Sequence, residues 1–331
     1  MFLKLDGYFL EPNTKATIQL FNGTFDKSDN VITRDRMLDV SLVGNGERTR
    51  VDTTAWTEDD AVTLLNFTTG APGTWVAGVS TAPRDFAQTA EAFNRYLEHD
   101  GVLDVLEYRK KTNTLDQPVV ERYSKHVKTI FQVGEKTTGD WRTELGYPIE
   151  FIPLGNPYVL NAGDALPVKL LWQGKPLANQ IVYAASDQSG HSHSHAAGEE
   201  HEHDAEEDHA HTEGTMLRTD ANGNMIVELN NAGTWYLRTI YLVESQEDSL
   251  THESNWATLT FGVTGGQSLA DGSHTHADGS SHSHDHGDGQ SHSHEGDHDH
   301  EGAGLPAYVY WLVSLAVIVG LFLWFNRQEP A

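Results

Sequence analysis

Short apolar and β-branched runs, separated by Asn, Gly, Asp and Pro, dominate the first 152 residues. ATIQLFNG (16–23), MLDVSLVG (37–44), AVTLLNF (61–67) and TWVAGVST (74–81) have strand length and turn-forming borders. The opening MFLKLDGYFL also reads as a strand, with Phe2, Leu3, Leu5, Tyr8 and Phe9 as its apolar content. One stretch changes period. Phe86, Ala90, Phe93 and Leu97 recur at helical spacing, so DFAQTAEAFNRYLEHDG predicts a helix capped by Asp85 and stopped by Gly101. A second short helix is expected over 102–111, and VERYSKHVKTIFQV (120–133) returns to strand.

From Pro153 the pattern is purely β. PYVL, LPVKLLW, NQIVYAAS, GNMIVELN, GTWYLRTIYLV and NWATLTFGV follow at sandwich-like intervals. Ala221–Asn224 supplies a turn before a strand. GTW occurs twice, at Gly73–Trp75 and Gly233–Trp235, each opening an apolar run and hinting at two related sandwiches. The predicted fold is mostly β: two β-sandwich (Ig-like) domains, 1–152 with a short helical insertion near 85–111, and 153–263. One C-terminal transmembrane helix completes it.

That helix is Ala307–Phe325, nineteen residues without a charge. At 1.5 Å per residue it spans about 28 Å, close to a hydrocarbon core. Tyr308, Tyr310 and Trp311 stand at one end and Trp324 and Phe325 at the other, as an interfacial belt. Arg327 follows and the preceding side is acidic, so the bulk of the chain is expected outside the cytoplasm, periplasmic or extracytoplasmic. MFLKLDGYFL has no basic start before an apolar run, so either a leader lies upstream of this start or the protein is tail-anchored with a cytoplasmic body; the missing leader is the favoured reading.

Two tracts interrupt the β pattern. Residues 189–214 fall between NQIVYAAS and TMLRTD, as an insertion in a hairpin loop of the second domain. Residues 264–306 are Gly- and Asp-rich with almost no apolar content, and read as a disordered tether. Composition singles out the same segments. The 331 residues carry 22 Lys+Arg, 48 Asp+Glu, 19 His and no Cys, for a net charge of −26. Windows 191–213 and 271–301 hold eight acids each, no base, and 16 of the 19 His. Without those acids the charge is 22 − 32 = −10, ordinary for an acidic globular body. Such acidity disfavours nucleic acid, and the absence of Cys excludes disulfides and thiolate sites.

The tracts are built from His-x-His units: His191, His193, His195, His201, His203, His209 and His211 in the first, and His274, His276, His282, His284, His286, His292, His294, His298 and His300 in the second. In extended chain, residues i and i+2 share a side, so neighbouring imidazoles can approach one ion. Imidazole suits divalent transition metals, and the intervening carboxylates favour a dication. No fixed-spacing site such as HExxH is present, so several exchangeable Ni, Co or Zn ions of modest affinity are expected, released by protonation near pH 6.5. His99, His126 and His252 lie in the body and read mainly as ordinary packed or surface residues. TDANGN (219–224) has a calcium-loop flavour but lacks the later Glu and reads as a turn. Asn22 and Asn66 open sequons of a kind common by chance. No catalytic constellation is present, and no enzyme is expected.

The succession MFLKLDGYFLEPN, GTWVAGVSTAPRDF, AFNRYLEHDGV, ERYSKHVKTIFQVG, LGYPIEFIPLGNPYVLNAGDALPVKLLWQGKPLANQIVYA and TDANGNMIVELNNAGTWYLRTIYLV resembles one bacterial periplasmic family over about residues 1–263. It is a domain of unknown function labelled as a nickel/cobalt-uptake transporter component. The resemblance implies a periplasmic setting and a leader upstream of this start. GKPLANQIVYA and TDANGNMIVEL also resemble the regulatory β-sandwich of carboxypeptidases, which implies a fold and not an activity. The expectation is a membrane-anchored, extracytoplasmic metal-binding protein aiding uptake or buffering, with a metal permease as partner. The alternative is a non-catalytic sandwich that binds a protein or polysaccharide, with the tracts as spacers.

Overall fold

The computed structural model describes residues 1–188 and 214–265. In chain order the strands are β1 (Phe2–Lys4), β2 (Phe9–Leu10), β3 (Lys15–Phe21), β4 (Met37–Gly44), β5 (Glu47–Arg50), β6 (Trp56–Asp59), β7 (Val62–Thr68), β8 (Gly73–Thr81) and β9 (Arg84–Gln88). Helices α1 (Ala90–His99) and α2 (Leu103–Thr112) precede the long β10 (Val119–Val133). Then come β11 (Ile149–Pro153), β12 (Ala165–Trp172), β13 (Lys175–Pro176), β14 (Ile181–Ser186), β15 (Thr215–Arg218), β16 (Asn224–Glu228), β17 (Gly233–Glu244) and β18 (His252–Val263). The described chain is thus mostly β, as its alternating and apolar runs predict.

The pairings repeat strand for strand. The first half builds the run β5-β4-β8-β10 and the second builds β15-β14-β17-β18. β10 and β18 lie side by side in parallel, from Glu121↔His252 to Thr129↔Thr260, and fuse the two runs into one ten-stranded sheet that also takes in β2 and β9. Each half adds a small antiparallel sheet of the same order: β1-β3-β7 extended by β6, and β11-β12-β16 with β13. The expected boundary at 152/153 falls inside β11.

The small sheets cover opposite faces of the long one, because side chains alternate along each strand. Val43, Val76, Ile130, Leu237, Leu259 and Phe261 face the β11-β12-β16 sheet. Leu42, Ala77, Val79, Val127 and Phe131, at the opposite parity, face Leu3, Ile18, Leu20 and Leu65 of the other. Strands buried on both faces read as near-continuous apolar runs, as β8 does. The helices extend the second layer: Phe93, Leu97 and Leu106 pack on Val119, Ile240 and Leu242.

β10 carries charge through this core. Lys128 and Glu150, 1% and 3% exposed, pair at 3.1 Å, and Lys128 Nζ also donates to the carbonyls of Thr143 and Phe151. The Glu150 carboxylate also accepts the N–H groups of Leu145 and Tyr147. A buried ion pair is tolerated when its remaining valences are filled in this way.

Three local expectations need correction, and one strand was not foreseen. Residues 84–88 form β9, paired with β10, and not the first turn of a helix. Phe86 is 56% exposed there despite its helical spacing from Ala90. The cap is Thr89, whose Oγ1 accepts the Ala92 N–H at 3.2 Å. MFLKLDGYFL breaks into β1 and β2. PYVL forms a 3₁₀ turn, Pro157–Val159, capped by Asn156; proline suits the first helical position and removes a ladder donor. The apolar run Ile149–Pro153, ahead of the expected second domain, is a strand. Among the described residues no helix is long and apolar enough to cross a membrane; the expected span 307–325 lies outside them.

Candidate functional site

All sixteen tract histidines, His191 to His211 and His274 to His300, lie outside the described residues, so their ligand role rests on sequence. The described residues place the roots of both tracts. β14 and β15 pair antiparallel from Ile181↔Arg218 to Ala184↔Thr215, on either side of the first tract. Asp187 fixes its outgoing side: its N–H donates to the Thr234 carbonyl at 2.9 Å, and its carboxylate accepts the Thr234 N–H at 3.1 Å. Gly233 is required beside it. Its φ is +122°, and a Cβ there collides with that carboxylate. On the returning side Gly214 has φ +104° and no room for a Cβ against Ala184. Arg218 then anchors the hairpin to α2 through a bidentate pair with Asp104 at 2.7 and 2.9 Å.

The second root is the end of β18. Thr264 bridges to Asn161, and its carbonyl accepts the Ala162 N–H at 3.0 Å. Ser186, Trp235 and Phe261 are register partners across β14, β17 and β18. The chain therefore enters both tracts from the same end of one sheet, two strands apart. At about 4.8 Å per strand the roots are about 10 Å from one another.

The GTW repeat belongs to the same sheet end. Gly73 opens β8 opposite Val133, and Gly233 opens β17 opposite Val263. In both copies the indole N–H donates to the carbonyl four residues earlier, Trp75 to Ala71 at 3.2 Å and Trp235 to Asn231 at 2.8 Å. The turn–strand junction is thus the same structural device used twice.

The body histidines serve the fold. His126 is buried, with Nδ1 2.9 Å from Ser80 Oγ and Nε2 3.1 Å from Ser124 Oγ and 3.2 Å from Asn255 Oδ1. Burial pushes its pKa down to about 4, so it is neutral at pH 7. His252 lies 5.1 Å from the Phe93 ring, and burial followed by the nearby Arg109 lowers its pKa. His99 Nδ1 is 3.9 Å from Asp100 Oδ2. Among the described residues no group of three His, Asp or Glu is placed to hold a metal ion. The TDANGN segment is a turn: Asp220 Oδ1 accepts the N–H groups of Asn222 and Asn224, each at 2.8 Å.

Sequence reasoning did not find Asp187 or the shared sheet end. The second GTW glycine, followed by an apolar strand, was the available signal for the root.

A family model described as "Domain of unknown function (DUF4198)" matches residues 2–242. No curated protein matches the chain. Among solved structures, the D0-D1 domain of intimin is 12% identical, with 79% of this chain and 97% of that one covered and a TM-score of 0.19. The Yersinia pseudotuberculosis adhesin InvE is 14% identical, with 80% of this chain and 62% of that one covered, also at 0.19. Overlap this low bears on neither fold nor function.

Proposed function

The chain belongs to the DUF4198 family, and within it we propose a membrane-anchored, extracytoplasmic protein that gathers divalent transition metal ions. Ni²⁺, Co²⁺ or Zn²⁺ is held exchangeably by the tract histidines and passed to a metal permease, or buffered. The supporting observation is that both tracts leave one sheet end from roots about 10 Å apart. Ligands on tethers rooted so closely meet at high effective concentration, so one ion draws imidazoles from both. The frame is read as two Ig-like sandwiches joined through β10 and β18, a non-catalytic base for the tracts. The segment 307–325 is read as the anchor.

Calorimetric titration with Ni²⁺, Co²⁺ and Zn²⁺ tests this on the full chain and on variants lacking 189–213, 266–304 or both. Removing both tracts is expected to abolish binding. Removing either is expected to lower affinity as well as stoichiometry, because shared sites are lost. Stoichiometric loss at unchanged affinity means that the tracts act separately. Unchanged uptake without either tract sinks the metal reading.

A further inference from the structure

A polar cavity of about 210 Å³ lies over β10, β17 and β18, beneath the loop that follows β3 and the end of α1. Its chemistry comes from Asn22, Asp29, Asp100, Lys125, Arg238 and Trp256, with Met1 and Phe2 along one side. At roughly 30 Å³ per water it is several waters in size. A second cavity of about 290 Å³ shares Lys125 and Trp256 as a common wall and adds Phe86, Tyr96 and Glu121.

The lining decides the class of ligand. Two carboxylates, Asp29 and Asp100, stand against two cations, Lys125 and Arg238, and beside them lies the Met1 amino group, whose pKa burial lowers well below its ordinary value. The charges are also opposed locally. Arg238 Nη1 donates to the Asp100 carbonyl at 3.0 Å and is 3.9 Å from its carboxylate. Lys125 Nζ donates to Asn22 Oδ1 at 2.9 Å and lies 5.0 Å from the Trp256 ring centroid. An ion entering here meets a like charge beside every opposite one. A neutral ligand with many hydroxyls meets donors and acceptors in alternation. The second cavity adds what a sugar ring needs on its apolar face, because the Phe86 ring is 56% exposed at its rim. Tyr96 stacks on Trp256 at 5.8 Å and completes the aromatic wall between the two cavities.

We propose that these two cavities form a binding cleft for a neutral saccharide, with one ring held by the polar cavity and a second laid against Phe86 across the Lys125–Trp256 wall. Burial lowers the Lys125 pKa to about 8; a sugar oxygen accepting from the ammonium favours its charged form, so binding takes up protons near pH 8. This site is independent of the tracts.

The test is titration of the full chain with glucose, galactose, N-acetylglucosamine, maltose, cellobiose and chitobiose at millimolar concentration, followed by tryptophan fluorescence and by the Trp256 indole N–H resonance. At least one disaccharide is expected to shift that resonance and to bind more tightly than its monosaccharide. D100N and F86A are expected to weaken it about tenfold, the worth of one charged hydrogen bond or one ring contact. F86A touches an exposed side chain, so it leaves the fold in place should D100N unfold. The proposal is overturned if no saccharide moves the Trp256 signal, if both variants bind as the parent does, or if glycine displaces the signal where sugars do not.

Discussion

The two halves place the same hairpin at corresponding positions and close it in opposite ways. β4 turns into β5 through Asn45 and Gly46, with φ of +54° and +80°, the tightest hairpin connection available. Asp140 caps that turn, accepting both N–H groups at 3.0 and 2.7 Å. β14 turns into β15 through residues 189–213, which carry seven histidines. The same strand pairing therefore stands with a two-residue turn in one half and with the histidine tract between its strands in the other. The strands where the halves meet differ as well. β18 turns Ala257, Leu259 and Phe261 into the core, whereas β10 buries Glu121, His126 and Lys128. At the same register β10 therefore holds titratable groups where β18 holds apolar ones, His126 against Ala257 and Lys128 against Leu259.

The largest expected effect tests that contrast at its most charged point. Glu150→Ala leaves the Lys128 ammonium buried without its partner and should cost about 3–5 kcal/mol in urea unfolding. Pairing it with Lys128→Met should recover most of the loss. Leu259→Ala, on the apolar side, should cost about 2–5 kcal/mol, with the same value at pH 7 and pH 5. His126 should give the first half a pH dependence. Its folded pKa of about 4 lies below the ordinary 6.5, so the unfolded chain binds the proton first as pH falls. Stability is full above pH 6.5 and declines toward pH 4, by up to about 3 kcal/mol, visible as a falling melting temperature that His126→Asn removes. The smallest effect is at the hairpin itself. Replacing 189–213 by Asn-Gly should leave stability unchanged or raise it, by no more than about 2 kcal/mol of loop closure.

Much of this arrangement was legible in sequence. Apolar runs bounded by turn residues marked most of the strands, and the polar composition of 189–214 marked the insertion. Phe86 misled because its offset from Ala90, Phe93 and Leu97 fits a helix as well as a strand that ends just before one. Thr89 was the better cap, and Pro83 restricts the backbone just ahead of it. PYVL misled because its apolar content hid the effect of Pro157. The burial of Lys128 and Glu150 was not legible, since a Lys in an alternating strand reads as solvent-facing until a partner from another strand is known. The β10–β18 pairing joins residues about 130 positions apart by register alone, and no local pattern encodes it. It is that pairing, with β17 and β14, that brings the two tract roots to one sheet end.

The most direct test is equilibrium dialysis against Ni²⁺ of the intact chain beside the chain in which Asn-Gly replaces 189–213. We expect a melt in the absence of metal that is unchanged or higher, less bound Ni²⁺, and weaker binding of what remains, because ions shared between tracts lose the ligands of one of them. Equal Ni²⁺ uptake by the two chains would contradict a metal-gathering role for the tract.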